Sequence, residues 1–248
     1  MKSFILSRIL QAIPTLLVIA TITFFMTRFA PGGPFDSEKA IPEEIKVKLE
    51  SHFGLNLPLW DQYLLYMKNL LKGDLGPSFK YLGWEVSELI SIAFPVSMTL
   101  GICSLVIALI IGLPAGITAA LRKNTIWDYL PMGLAMVGIC LPTFVLGPLL
   151  ILVFSSQLNL LPPLGWYSWA DLILPSFTLG LFYAAYIARL TRAGMLETLK
   201  HDYIRTARAK GASPTRIVLK HALKGGLLPV VTFLGPAFAG LVSGSFII

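Results

Sequence analysis

"LISIAFPVSMTLGICSLVIALIIGLPAGITAAL", residues 89–121, is a stretch of 33 residues without a charged side chain. A helix needs about 20 apolar residues to cross the hydrocarbon core of a bilayer, so this stretch is long enough for one membrane span. Of the 248 residues in the chain, 55% are hydrophobic and 13% are charged, and the mean hydropathy is +0.74. This composition differs from that of soluble domains and indicates that much of the chain lies in lipid.

Further uncharged intervals lie on both sides of this stretch. They contain 19 residues between Arg8 and Arg28, 42 between Asp128 and Asp171, 17 between Asp171 and Arg189, and 24 after Lys224. The 42-residue interval is assigned one span, because QLNLLPPLGWYSW (157–169) is polar, proline-broken and aromatic, as in a loop at the membrane surface. The sequence thus predicts an all-α polytopic membrane protein with five spans, near residues 9–29, 96–121, 128–154, 172–190 and 227–248.

Both ends of the chain bear on the number of spans. The first apolar run follows Lys2 and Arg8, as in a signal peptide, but it is longer than a usual signal and no A-x-A cleavage site follows. We therefore expect it to be retained as a span. Apolar residues continue to Ile248, and a sixth span is expected beyond that residue.

The charge of the loops predicts the orientation. Residues 30–95 carry six Lys/Arg against nine Asp/Glu, residues 155–170 carry no charge, and residues 189–226 carry nine Lys/Arg against two acids. Because basic loops stay in the cytoplasm, we expect the N-terminus, the turn at 122–127 and the 189–226 loop to lie inside. A pI near 9.5 in such a protein reflects topology and does not favour nucleic-acid binding.

The spans and loops divide the chain into three parts. We expect an N-terminal span, an extracytoplasmic amphipathic segment and a core domain with a cytoplasmic loop at 190–226; the three parts are residues 1–29, 30–95 and 96–248.

The basic stretch DYIRTARAKGASPTRIVLKHALK (202–224) has the end signals of two short helices. Asp202 is a suitable N-cap, and Gly211 stands where a left-handed residue ends a helix of about two turns. Ser213, followed by proline, begins a second helix that we expect to end near Lys224, before a Gly-Gly pair. Two helical turns are too short to be stable alone, so the first helix needs a surface to pack on.

The sequence leaves open which surface this is. Tyr203, Ala207 and Lys210 recur on one face of the first helix, and the small side chain of Ala207 suits a helix that enters a groove. The groove could belong to a partner, or the helix could pack on the ends of the protein's own spans. Basic charge would also retain the loop inside without any contact.

RLTRAGMLETLKHDYIRTARAKGAS, residues 189–213, closely resembles the cytoplasmic loop of ABC-importer permeases, in the branch that handles dipeptides, oligopeptides and nickel. In that family the loop inserts a short coupling helix into a groove of the ATPase, with the motif Glu-Ala-Ala, three residues, then Gly. Arg205, Thr206 and Ala207 precede Gly211 at this spacing, so the second Ala and the Gly match and the Glu does not. Other blocks resemble the family in the same order, at residues 8–34, 54–78, 111–128, 141–155 and 174–181.

The resemblance implies a type I ABC-importer permease fold in the bacterial cytoplasmic (inner) membrane. Such a chain is not an enzyme: it would pair with a second, homologous permease, take peptides from an extracytoplasmic binding protein and be driven by one or two ABC ATPases. ATP and Mg²⁺ would be bound by the ATPases, so no cofactor or metal is expected in this chain. The residues expected to contact the ATPase are Asp202, Tyr203, Arg205, Ala207, Arg208 and Gly211.

Other functions stay open at this point. Nickel, other metal chelates and some sugars are alternative substrates within the branch. A membrane scaffold that docks some other cytoplasmic protein through its basic loop is an alternative of a different class, and co-purification with ATPases would distinguish the two.

Two pairs of glycines predict close helix contacts. Gly112 with Gly116, and Gly240 with Gly244, are small-xxx-small pairs in apolar segments, where helices can approach closely. They serve either packing within the chain or an interface with the second permease.

The segment PLWDQYLLYMKNLLKG (58–73) predicts an amphipathic helix. Its apolar residues at helical spacing are Trp60, Tyr63, Leu64, Met67, Leu70 and Leu71. Such a helix lies on the membrane or caps the spans. The resemblance adds a role in the outer face that receives the binding protein.

Several chemistries lack their motifs. The sequence contains no G-x-x-x-x-G-K-[ST] phosphate loop and no G-x-S-x-G elbow, and no ionisable residue lies at the centre of a predicted span. An ATPase, an intramembrane hydrolase and an ion-coupled transporter are therefore disfavoured. The histidines are scattered and Cys103 and Cys140 lie in apolar spans, where we expect packing roles.

Overall fold

The computed structural model describes residues 2–29, 51–78, 81 and 83–243, with side chains from residue 5 onward. The described part is helical apart from turns and one isolated β-bridge between Pro77 and Glu85. The chain forms two compact units, Met1–Ala93 and Phe94–Ile248. The helical content confirms the all-α class that the uncharged intervals predict.

The first unit contains two long helices, α1 (Lys2–Phe29) and α2 (Leu59–Leu71). They are joined by a hydrogen bond of 2.9 Å between the hydroxyls of Thr21 and Tyr63, and by the ring of Phe24, whose centroid lies 5.4 Å from those of Tyr63 and Tyr66. Gln62 donates to the carbonyls before the helix and fixes its start. The helix predicted after residue 58 is thereby confirmed.

The predicted apolar stripe of α2 is only partly buried. Tyr63 packs on α1, whereas Trp60, Leu64 and Leu71 remain exposed. Gln62 is buried instead. Its side-chain amide donates hydrogen bonds to two carbonyls of the preceding turn, which offsets the cost of burying a polar side chain. Half of the predicted stripe is therefore left for lipid or another surface.

The second unit is built around one central helix, α6 (Ile173–Thr198), which follows a 3₁₀ turn at Trp169–Leu172. Earlier in the chain come α3 (Val86–Leu121), α4 (Ile126–Cys140) and α5 (Thr143–Gln157), whose last turns, Ile151–Gln157, are π-helical. After α6 come α7 (Asp202–Ala209), α8 (Pro214–Gly226) and α9 (Leu228–Val242). α3, α4, α5, α8 and α9 all pack against α6.

Three helical stretches in the described residues are long and apolar enough to cross a membrane, at Ile5–Phe29, Val86–Leu121 and Trp169–Thr198. Two bent pairs also qualify if each counts as one span: α4 with α5, bent by 107°, and α8 with α9, bent by 52°. The five predicted spans are recovered on this count. The span predicted at 128–154 is one of these bent pairs, because the helix breaks after Cys140.

The break is a consequence of Pro142. A residue before proline is disfavoured in the helical region, and Leu141 is extended with φ −79° and ψ 117°. Pro142 is also extended, and its carbonyl accepts the N–H groups of Val145 and Leu146 at the start of α5. The chain therefore changes direction here without leaving the start of α5 unbonded.

Helices α3 and α6 meet through their backbones. A side-chain carbon at Gly112 would lie 2.7 Å from the carbonyl oxygen of Ala184, and one at Gly116 would lie 2.6 Å from Cβ of Thr191. The structure thus uses this predicted pair for packing within the chain. A side-chain carbon at Gly240, on α9, would lie 2.7 Å from the hydroxyl of Tyr183, whereas its predicted companion Gly244 lies outside the described residues.

Candidate coupling surface and cavity

The start of α7 differs by one residue from the expectation. His201 is the N-cap, with φ −67° and ψ 148°, and Asp202 is the first helical residue. The Asp202 carboxylate lies 3.6 Å from the Arg205 guanidinium, with both side chains exposed. Its negative charge in the first turn still suits the helix dipole, although Asp202 does not cap the helix.

The end of α7 is as predicted. Gly211 has φ +77°, in the left-handed region, and its N–H donates to the carbonyl of Arg208 at 2.9 Å. The N–H of Ala212 donates to the carbonyl of Ala207 at 3.1 Å, which completes a Schellman motif. No heavy atom lies within 4 Å of the position that a side-chain carbon on Gly211 would take. The glycine is therefore required by backbone conformation and not by crowding.

Helix α8 begins as predicted and ends later. The Ser213 hydroxyl accepts the N–H of Arg216, with Pro214 at the first helical position. The two glycines expected to end the helix are helical, and the chain bends at Leu227 instead. The reason is packing: the carbonyl of Gly226 contacts Gly194 of α6, so the absence of side chains there permits close approach of two helices.

The inner face of α7 packs on its own chain. Ile204 is fully buried and Ala207 nearly so. They belong to an apolar cluster, which we call the α7 cluster, with Ala120, Met195, Ile217 and Ala222. The expectation that Ala207 points into a partner's groove is therefore corrected: Ile204 and Ala207 hold the two-turn helix against the ends of α3, α6 and α8.

The outer face of α7 carries the other predicted contact residues. Tyr203 is 48% exposed, and its ring stacks on His201 with centroids 5.6 Å apart. A side-chain carbon on Gly225 would lie 3.3 Å from the Tyr203 hydroxyl, so the hydroxyl lies beside the end of α8. The charged residues Asp202, Arg205, Arg208 and Lys210 on this helix are exposed as well, and so is Gly211. This outer face is a basic surface on a short, firmly held helix.

A second feature near this surface was not predicted. The Asp128 carboxylate, 1% exposed, forms a bidentate ion pair with Arg192 of α6, with Nε to Oδ1 at 2.5 Å and Nη2 to Oδ2 at 2.7 Å. The two residues lie 64 positions apart, so no local pattern in the sequence links them. The sequence shows only that Asp128 ends an uncharged interval and that Arg192 belongs to the basic loop at 189–226.

Two cavities lie along the broken pair α4 and α5. One, of about 410 Å³, is lined by residues 139–144 at the break, by Leu179, Phe182 and Tyr183 of α6, and by Gly240 and Leu241 of α9. The other, of about 330 Å³, lies along α5, α6 and the loop before Asp171, and shares Thr143 and Phe144 with the first. Irregular backbone at membrane depth is tolerated where it lines such a cavity.

Comparison with known proteins identifies this architecture. The profile of the family "binding-protein-dependent transport system inner membrane component" matches residues 112–248, and the profile of its N-terminal region matches residues 1–100. The chain belongs to this family of transport permeases. The first match includes α7, the Asp128–Arg192 pair and the break after Cys140.

Curated relatives of this permease cover the whole chain. It is 50% identical to the oligopeptide transport system permease protein OppB of Salmonella typhimurium over 250 aligned residues, which cover 100% of this chain and 82% of the relative. It is 43% identical to the dipeptide transport system permease protein DppB of Bacillus subtilis, covering 100% of this chain and 80% of that protein. The DppB of Lactococcus lactis is 39% identical, with coverages of 100% and 82%.

The loop between α5 and α6 of the permease is held by one carboxylate. Asp171 accepts the N–H groups of Tyr167 at 2.7 Å and Ser168 at 2.8 Å, and forms a capping box with Ser168. Tyr167 and Trp169 are almost fully exposed around it. The loop predicted at 157–169 is confirmed for residues 158–168, while Gln157 still belongs to α5 and Trp169 begins the 3₁₀ turn.

Metal ligands are sparse in the described part of the permease. Within it, no three His, Cys, Asp or Glu side chains lie close enough to share a metal ion. Cys103 is partly buried in α3, whereas Cys140 is exposed at the end of α4 and lines the larger cavity, which the expected packing role did not include.

Proposed function

We propose that this chain is the membrane-spanning subunit of a peptide importer, driven by ATP that partner ATPases hydrolyse. The outer face of α7 carries the proposal, because a basic face on a helix of fixed start and end is suited to docking on another protein. Relatives named as oligopeptide and dipeptide permeases support peptides as the substrate class. A second permease and an extracytoplasmic binding protein complete the proposed assembly.

The docking role follows from how α7 is held. Its inner residues, Ile204 and Ala207, are buried in the α7 cluster, so the partner would meet the outer residues, above all Tyr203, Arg205 and Arg208. The sum of nearby exposed charges is positive, so we infer an acidic groove on the ATPase. Because Gly211 fixes the end of the helix, a push on the outer face moves α7 with the cluster and does not unwind it.

The proposed path for peptide runs along the break after Cys140. The cavity there is lined mainly by apolar and aromatic side chains, with the hydroxyls of Thr143 and Tyr183 as polar groups. Such a lining can accept peptide backbone without selecting one side chain. We therefore assign selection of the peptide to the binding protein and passage to this chain.

The proposed orientation places the N-terminus and α7 in the cytoplasm and the 158–168 loop outside, because the basic residues gather on the α7 side. Cysteine scanning tests it. In a background with Cys103 and Cys140 replaced by serine, a cysteine at the exposed Leu164 should react with an impermeant thiol reagent added to intact cells, and a cysteine at Ser213 should not. Labelling in the opposite sense contradicts the orientation.

The function is tested in proteoliposomes that hold the assembly purified through this chain. We expect ATP-dependent uptake of labelled peptides of two to five residues when the binding protein is supplied. Arg208→Glu, on the outer face, should reduce both ATPase co-purification and uptake, whereas Lys224→Glu, exposed on α8, should change them little. Uptake without ATP, or an assembly without an ATPase, would contradict the proposal; the second result is the one that a scaffold predicts.

A further inference from the structure

We propose that the Asp128–Arg192 ion pair is the positioning link through which movement of α7 reaches the break between α4 and α5. The inference rests on the proposed function only in taking α7 as the element that a partner moves. Its evidence lies in three contacts of the second unit, which join α7 to α6, α6 to α4, and α4 to the cavity.

The Asp128–Arg192 ion pair fixes the orientation of the start of α4 relative to α6 as well as the distance between them. Both nitrogens of the Arg192 fork meet both oxygens of Asp128, and the backbone N–H of Asn124 donates to Oδ2 at 2.9 Å. Asn124 takes φ +62°, so the turn between α3 and α4 is folded around this carboxylate. A bidentate guanidinium–carboxylate contact resists rotation, which a single charge contact does not. Helix α4 therefore follows α6 at this end.

The link from α7 to α6 is the α7 cluster. Met195, one turn after Arg192 on α6, is fully buried in the same cluster as Ile204 and Ala207 of α7. In addition, Gly194 contacts the carbonyl of Gly226 at the end of α8. The last turns of α6 are thus packed with α7 and α8 as one piece, and a displacement of α7 is passed to the turn that carries Arg192.

The link from the pair to the cavity is α4 itself. Asp128 lies in its first turn and Cys140 at its last residue, beside the break. The part of the helix from Asp128 to Cys140 is about 18 Å long, so a tilt of about 10° at Asp128 would displace the far end by about 3 Å. Near that end, α4 meets α6 by an ordinary contact, since a side-chain carbon at Gly138 would lie 3.5 Å from Cβ of Ala185. The described contacts give this end no second polar clamp like the Asp128–Arg192 pair.

Topology alone does not account for the pair. Arg189, one turn earlier on α6, is exposed and supplies positive charge to the same end of the helix. Arg192 differs in facing a carboxylate that the protein has buried, and a buried carboxylate is costly unless it is paired in good geometry. The protein retains this pair where α4, α6 and the preceding turn meet.

The test uses the complete assembly in lipid and the native Cys140 thiol, which is exposed at the break. With Cys103 replaced by serine, the rate of Cys140 modification by a maleimide is measured without nucleotide and with ATP plus vanadate. We expect nucleotide to change the wild-type rate about fivefold or more, as is usual for coupled sites. Arg192→Gln should abolish the change with the assembly intact, and Arg192→Lys should reduce it. Arg189→Gln is the matched control and should respond as wild type.

Each outcome decides the inference. A wild-type response in Arg192→Gln overturns it, as does a wild-type assembly in which nucleotide leaves the Cys140 rate unchanged. Loss of both Arg192 variants from the membrane also overturns it, because the pair would then serve folding alone. An assembly that shows the expected Cys140 pattern but imports no peptide keeps the link and rejects the peptide substrate, so failure of the two proposals is distinguishable.

Discussion

Replacing Gly211 with valine should weaken docking of the ATPase while leaving the chain in the membrane. Gly211 has φ +77°, and no heavy atom lies near the position of its missing side chain. The penalty is therefore conformational. It amounts to about 1–2 kcal/mol for a residue with a side chain in the left-handed region, with β-branched valine at the upper end.

This strain is comparable with the energy that holds α7 in place. Two helical turns are marginal alone, so the helix depends on burial of Ile204, which contributes about 2 kcal/mol. A strain of about 2 kcal/mol would leave the native loop in about half of the molecules. Alanine, at about 1 kcal/mol, would leave about 85%. Asparagine enters the left-handed region readily and should behave much as wild type.

The assay is co-purification of the ATPase and peptide uptake at matched abundance of the chain. We expect the order wild type, asparagine, alanine, valine for both measurements. The spans lie outside the strained turn, so abundance in the membrane should not change. The reasoning is refuted if valine matches wild type, or if asparagine is as harmful as valine, because the effect would then not follow backbone conformation.

Three further results are expected. Gly116→Ala, whose new carbon would press on Thr191, should cost about 1–3 kcal/mol and lower the unfolding midpoint, whereas Gly133→Ala, with open space around it, should leave it equal or higher. Asp171→Ala should speed hydrogen exchange at the N–H groups of Tyr167 and Ser168 about tenfold, measured by mass spectrometry, because each loses an acceptor; unchanged exchange would show that Asp171 does not hold the loop. The purified chain freed of partners should not hydrolyse ATP, since its sequence has no phosphate loop, and hydrolysis that survives removal of every ATPase would contradict this.

Features set by local chemistry could be predicted from the sequence. Uncharged intervals give the spans because lipid excludes charge, and Gly211 and Ser213 mark the ends of two helices because their backbone preferences are local. The start of α7 was misplaced by one residue because His201 and Asp202 differ little as helix boundaries when neither side chain makes a capping bond.

Features set by distant contacts could not be predicted. Pro142 indicates a break, but the 107° angle depends on how α4 and α5 pack against α6. Ala207 looked like a docking residue because it is small, and only the positions of Met195 and Ile217 show that it packs inward. The partner of Asp128 lies 64 residues away, beyond the reach of any helical period.

The backbone contact between α3 and α6 limits where this protein can change shape. At Gly116 and Ala188 the two helices touch without intervening side chains, so no rotamer change can let one slide past the other. Helices α3 and α6 therefore form one rigid pair. We therefore expect a change of shape to involve the two bends, after Cys140 and at Leu227, where the helix axes turn by 107° and 52°.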